Sequence, residues 1–147
     1  MRVNVLLGDS AQVDVGGKAH VLGMGWTKTG VPTGPMAVVV LISLDDEAEV
    51  TKPHDVVIKL MDQRGEVVDL SAVGARRMEF EAKIEPRPDV QVELPSVAPI
   101  AIQLVGLQLS PGESYVWQVD VDGRSESAWS ASFTTHPEMA GIPVNTA

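Results

Sequence analysis

Three stretches of the chain hold residue types that could do chemistry. LGMGWTKTG, residues 22–30, combines glycines with a lysine and two threonines, the ingredients of a loop that cradles phosphate. A phosphate loop needs GxxxxGK[ST] between a strand and a helix, because backbone amides and the helix N-terminus hold the anion. Here Gly25 is followed by Trp-Thr-Lys-Thr-Gly, and the other Gly-Lys pair, Gly17-Lys18, is followed by Ala19. No helical periodicity follows either. VGGK (15–18) therefore reads as a hairpin turn, KAHVLGMGW (18–26) as a strand and TGVPTGP (29–35) as a loop. LDDEAEV (44–50) gathers Asp45, Asp46, Glu47 and Glu49, which could hold a hard cation; a solvated acidic turn is the commoner outcome of such a run. DVDGRSE (120–126) lacks the calcium-loop placement of glycine and reads as a hairpin turn. His20, His54 and His136 lie far apart, without the paired spacing of metal ligands. There is no cysteine and no G-x-S-x-G, and nothing singles out a pair of carboxylates. No catalytic, metal-binding or cofactor-binding residue is expected, and the chain is not expected to be an enzyme.

Residues that could bind a partner are easier to name. Trp117, Trp129 and Tyr115 fall on alternating apolar faces and belong to a core. Trp26 ends a strand beside a loop and is the candidate exposed aromatic. MAVVVLISL (36–44) has no polar residue from Met36 to Ile42, so both its faces must be covered. One face belongs to the core; a loop or a partner subunit must cover the other, which carries Val39 and Leu41, and a partner is the reading adopted. HPEMAGIPVNTA (136–147) has no alternation and reads as an arm that uses Met139, Ile142 and Val144.

These candidates sit on a chain that composition bounds well. Its 147 residues suffice for one domain with one core, and 44% hydrophobic with 21% charged residues describes a soluble globular protein. The formal charge of −9 repels nucleic acid and anionic lipid, so neither is expected as a partner. Only five residues separate Arg2 from Gly8, too few for a signal peptide, and the longest apolar run is too short to span a bilayer. The absence of cysteine fits a cytoplasmic setting.

Period-two alternation runs through RVNVLL (2–7), DVVIKLMD (55–62), RRMEFEAKI (76–84), APIAIQLVG (98–106), SYVWQVDV (114–121) and SAWSASFTT (127–135). Gly/Pro turns separate these runs, and the proline-rich EPRPDVQVELPSVAP (85–99) is a long crossing loop or an edge segment. The pattern predicts an all-β antiparallel sandwich of seven or more strands over residues 1–135, with a C-terminal arm at 136–147. In the last hairpin, a two-residue loop at Asp122-Gly123 would send Trp129 and Phe133 to the face opposite Trp117. Burying both sets together needs a loop of three or five residues, or a bulge; the odd loop is the reading adopted.

LQLSPGESYVWQVDVDG (107–123) resembles the penultimate strand of immunoglobulin-like and fibronectin-type domains. There a leucine, a Pro-Gly turn and a tyrosine form a tyrosine corner, matched here by Leu109, Pro111, Gly112 and Tyr115. The resemblance implies an immunoglobulin-like sandwich. LLGDSAQVDVGGKAHVLGMGW (6–26), with PGESYVWQVDVDG (111–123), resembles a family of small uncharacterised proteins of actinobacteria and their phages. The shared features are Ala11-Gln12-Val13, Gly17-Lys18, Leu22-Gly23 and Gly25-Trp26. That resemblance supplies no catalytic residue. Taken with an arm at 136–147 that neighbouring chains would hold, it leads to the expectation of a non-enzymatic structural or accessory protein, such as a capsid decoration protein of a virion, contacting itself or capsid subunits. The alternative is a cytoplasmic bacterial binding module that takes a small ligand or carbohydrate through loops 27–35 and 44–54.

Overall fold

The structure, a computed structural model, describes residues 1–86 and 93–137. Ten strands carry the described fold: β1 (Arg2–Gly8), β2 (Ser10–Val13), β3 (Ala19–Leu22), β4 (Lys28–Thr29), β5 (Met36–Leu44), β6 (His54–Met61), β7 (Glu79–Ile84), β8 (Ser96–Leu104), β9 (Ser114–Val121) and β10 (Arg124–Thr135). One helical turn, α1 (Glu47–Val50), joins β5 to β6. The architecture is all-β, as the alternation predicts. One sheet has the order β1-β5-β8 and a second the order β4-β10-β9-β6-β7. Every pairing is antiparallel except that of β4 with β10.

The alternating residues explain which faces meet. Val3, Val5 and Leu7 lie opposite Ile42, Val40 and Val38, which in turn face Ala98, Ile100 and Ile102. In the other sheet Ile58 sits between Phe80 and Val119, and Leu60 lies opposite Trp117. These inward rows merge into one hydrophobic core. The indole Nε1 of Trp117 reaches the sulfur of Met36 at 3.3 Å, tying the two sheets together at the centre. Each fully buried aliphatic side chain of this kind contributes roughly 1.5–3 kcal/mol.

The β9–β10 hairpin corrects the odd-loop expectation. Val121 pairs with Arg124, so the loop is the two-residue Asp122-Gly123 after all. Both residues have positive φ, 52° and 75°, the backbone that a tight Asp-Gly hairpin turn requires. Parity is repaired farther along by an irregularity: Ser125 pairs with Asp120, but Ser130 pairs with Gln118. Three extra residues are absorbed there, an odd number, and Trp129 turns inward. Trp117, Trp129 and Phe133 are all buried in the one core, as the alternation requires. Gln118 holds the irregularity: its side-chain amide donates to Ser125 Oγ at 2.7 Å and to the carbonyls of Glu126 and Trp129 at 3.1 and 3.2 Å.

The tyrosine segment also has a physical role. Tyr115 is buried and stacks on Phe133, and its hydroxyl accepts from the backbone N–H of Ser110 at 2.9 Å. Thr135 completes this corner by donating to the Ser110 carbonyl at 2.6 Å.

Strand β5 corrects a second expectation. Val39 is 0% exposed within the chain itself, so no partner is needed to bury it. The cover is the β2–β3 ribbon, a separate two-stranded sheet that contacts β5 and β8. Gln103 on β8, opposite Ala37, accepts from the Ala11 N–H at 3.1 Å and donates to the Asp9 carbonyl at 2.9 Å. Its side chain shares the outward face with Val39, so the ribbon lies across that face. The sequence shows the need for a cover but not its source, because the ribbon's strands have only four residues each.

Candidate functional site

In the stretch 44–54 three carboxylates, those of Asp45, Asp46 and Glu49, take structural partners within the chain, while Glu47 is exposed. Asp46 caps α1, its Oδ1 accepting from the Glu49 N–H at 2.8 Å. The Glu49 carboxylate accepts from the Asp45 N–H at 2.7 Å and from the Met1 amino group at 3.0 Å. Asp45 lies 2.9 Å from the same amino group, which lowers the Asp45 pKa, chiefly through that hydrogen bond. The cation held by this cluster is thus an ammonium of the chain. Among the described residues, no three histidine or carboxylate groups come together as a metal site.

His54 closes the same stretch. It is 5% exposed, with Nδ1 2.7 Å from Asp122 Oδ2 and Nε2 2.5 Å from the Glu49 carbonyl. Asp122 accepts in addition from the Asp55 N–H at 2.9 Å. The sequence carries no signal of this pairing, since the partners are 68 residues apart.

The glycine stretch 22–30 holds β-structure and turns. Gly25 donates to the Leu7 carbonyl and Asp9 to the Leu22 carbonyl, while Lys28 and Thr29 form β4. VGGK is the β2–β3 hairpin turn: Asp14 accepts from the Lys18 N–H at 3.0 Å and pairs with His20 at 2.8 Å. Trp26 is not an exposed platform. It is half-buried and packs edge-on to Phe133, with ring centroids 5.6 Å apart. The loop 27–35 is tied down as well, since Thr33 is buried and exchanges hydrogen bonds with Leu107. Of the other expected contact residues, Leu41 is half-buried beside Val39. Met139, Ile142 and Val144 lie outside the described residues. The expected boundary at 135/136 is not a break in contact, because His136 still donates to the Thr29 carbonyl.

What the fold does present is a layer where exposed apolar side chains stand among polar ones such as Gln12, Lys18 and His20. Eight large apolar side chains are exposed among the described residues: Val13, Val15, Leu22, Met24, Val73, Leu94, Val97 and Val105. All but Val73 lie on the β2–β3 ribbon and its turns, on β8, or immediately beside β8. Leu22 and Met24 are 72% and 60% exposed. Strand β8 is an edge of its sheet and carries no charged residue. The opposite face of the molecule, outside β6, β7 and β9, is by contrast charged, with Lys59, Lys83, Glu79, Glu81 and Asp120. Sequence reasoning missed this layer because four-residue strands between glycine-rich turns do not declare which side faces the core.

A family described as being of unknown function, DUF6941, matches residues 4–133. The chain belongs to that family. The match begins within β1 and ends within β10, so it spans both sheets and the β2–β3 ribbon of this chain. No curated protein and no solved structure matches the chain. Among the described residues, no helix is long and apolar enough to cross a membrane.

Proposed function

We propose that the chain is a non-enzymatic β-sandwich that acts through protein–protein contact, with the β2–β3 ribbon and β8 as its contact face. The observation that carries this reading is the gathering of seven of the eight exposed large apolar side chains on that layer. A lone exposed leucine is ordinary; a clustered set on one side of a strongly acidic chain marks a surface that associates. The proposed fold is immunoglobulin-like. It is supported by the three-stranded and five-stranded sheet orders and by the hydrogen bond from Ser110 to the Tyr115 hydroxyl.

In its specific form the reading places the protein in a virion, docked on a shell of capsid subunits or on copies of itself. Support for that form comes from the resemblance of residues 6–26 and 111–123 to proteins of actinobacteria and their phages. The experiment is size-exclusion chromatography of extracts from producing cells, comparing wild type with Leu22→Lys/Met24→Lys/Val97→Lys. Wild type is expected in a fraction well above 15.7 kDa, and the variant at monomer mass with an unchanged melting temperature. Wild type running as a monomer in the extract overturns the reading.

A further inference from the structure

We propose that His54 is a pH-operated latch that fastens α1 to the β9–β10 turn while it is doubly protonated and releases α1 when it loses a proton. This device is argued from the buried ring and its two acceptors, and does not rest on the contact function. The geometry carries it. The ring is almost wholly buried, and each of its nitrogens faces an acceptor: the Asp122 carboxylate at 2.7 Å and the Glu49 carbonyl at 2.5 Å. Neither atom can donate, so both ring nitrogens must, and only the imidazolium has two N–H groups. A neutral ring satisfies one side and turns a lone pair against the other.

The charged groups on the surrounding elements are Asp46, Glu47 and Glu49 around α1, Lys52 between α1 and β6, Asp55 on β6, Lys83 and Glu85 at the end of β7, and Asp122 and Arg124 at the hairpin. Asp45 and the Met1 amino group lie beyond Glu49. Burial alone would lower the His54 pKa; the hydrogen bonds to Asp122 and to the Glu49 carbonyl outweigh it, and the net shift is upward. Burial would likewise raise Asp122, but the bonds from His54 and the Asp55 N–H leave it lowered. The His54 contribution is therefore complete below about pH 6.5 and is lost as pH rises through the raised folded value. The Asp122 contribution is present above about pH 3.9 and is lost as pH falls through its lowered value.

The side that opens is also specified. The carboxylate is the stronger acceptor and keeps the remaining proton on Nδ1, so Nε2 loses the Glu49 carbonyl. Release of α1 then exposes the N–H groups of Val50 and Thr51, which bond to the Asp46 and Glu47 carbonyls.

The test is amide hydrogen exchange of the full chain between pH 5 and 9, read as protection factors. Protection at Val50 and Thr51 should fall about tenfold for each pH unit between the open-state and folded pKa values of His54. Protection at Asp122, whose N–H bonds to the Asp55 carbonyl, should stay constant. His54→Gln should abolish the pH dependence at Val50 and Thr51. In parallel, ¹⁵N spectra of a His20→Gln/His136→Gln variant, which leaves His54 as the only histidine, should show both ring nitrogens protonated at pH 6. Constant protection at Val50 and Thr51, or a ring that is neutral at pH 6, overturns the latch, and the ring spectrum decides the matter if His54→Gln does not fold.

Discussion

At the scale of single residues, position in the core sets the outcome of a change. Trp117 is fully buried and joins the sheets through Met36, so Trp117→Ala removes a large aromatic and leaves a cavity. A loss of roughly 3–5 kcal/mol is expected in a urea unfolding titration. A loss under about 1 kcal/mol, typical of the surface, would place the indole elsewhere. Tyr115→Phe keeps the ring stack on Phe133 and deletes only the acceptor for the Ser110 N–H. Because Ser110 is exposed and water can replace the hydroxyl, the expected loss is about 1 kcal/mol. A loss as large as that of Trp117→Ala would mean that the hydroxyl organises the whole corner. The single residues were legible where alternation fixed a face: Tyr115, Trp117, Trp129 and Phe133 were all assigned to the core from spacing. His54 was not legible, since its meaning depends on a carboxylate 68 residues away.

At the scale of elements, the β9–β10 hairpin shows how a parity argument can be right while its location is wrong. Alternation requires an odd number of extra residues if Trp117 and Trp129 are to share a core. Asp-Gly is so well suited to a two-residue turn that the loop stays even, and the odd count moves into the strand. Gln118 makes that affordable by satisfying carbonyls that have left the ladder. Gln118→Ala strips those carbonyls of their donor and should cost about 1–3 kcal/mol. Exchange should quicken at residues 125–130 well before the rest of β10, as amide-resolved hydrogen exchange would show. Uniform acceleration along β10 would contradict the clamp. Strand β5 teaches a related lesson: a two-sided apolar strand shows that a cover exists, but the choice between a partner and a short ribbon depends on tertiary contacts through Gln103.

At the scale of the whole molecule, two unlike faces sit on one core. The outer surface of the five-stranded sheet is charged, with Lys59 paired to Asp120 at 2.8 Å; the ribbon side mixes exposed apolar residues with Asp14, Lys18 and His20, and the edge strand β8 is uncharged. A net charge of −9 opposes the approach of like copies, and the uncharged strand β8 is where that repulsion is least. The family match spans both sheets and the ribbon, so the asymmetry lies within the unit that the family shares. The most direct test is site-specific photo-crosslinking in producing cells, with a photoreactive phenylalanine analogue placed singly at Met24, at Val97 and at Glu81 on the charged face. The account predicts discrete crosslinked products of defined mass from positions 24 and 97 and none from position 81. Products from position 81 alone, or none from any position, would contradict it.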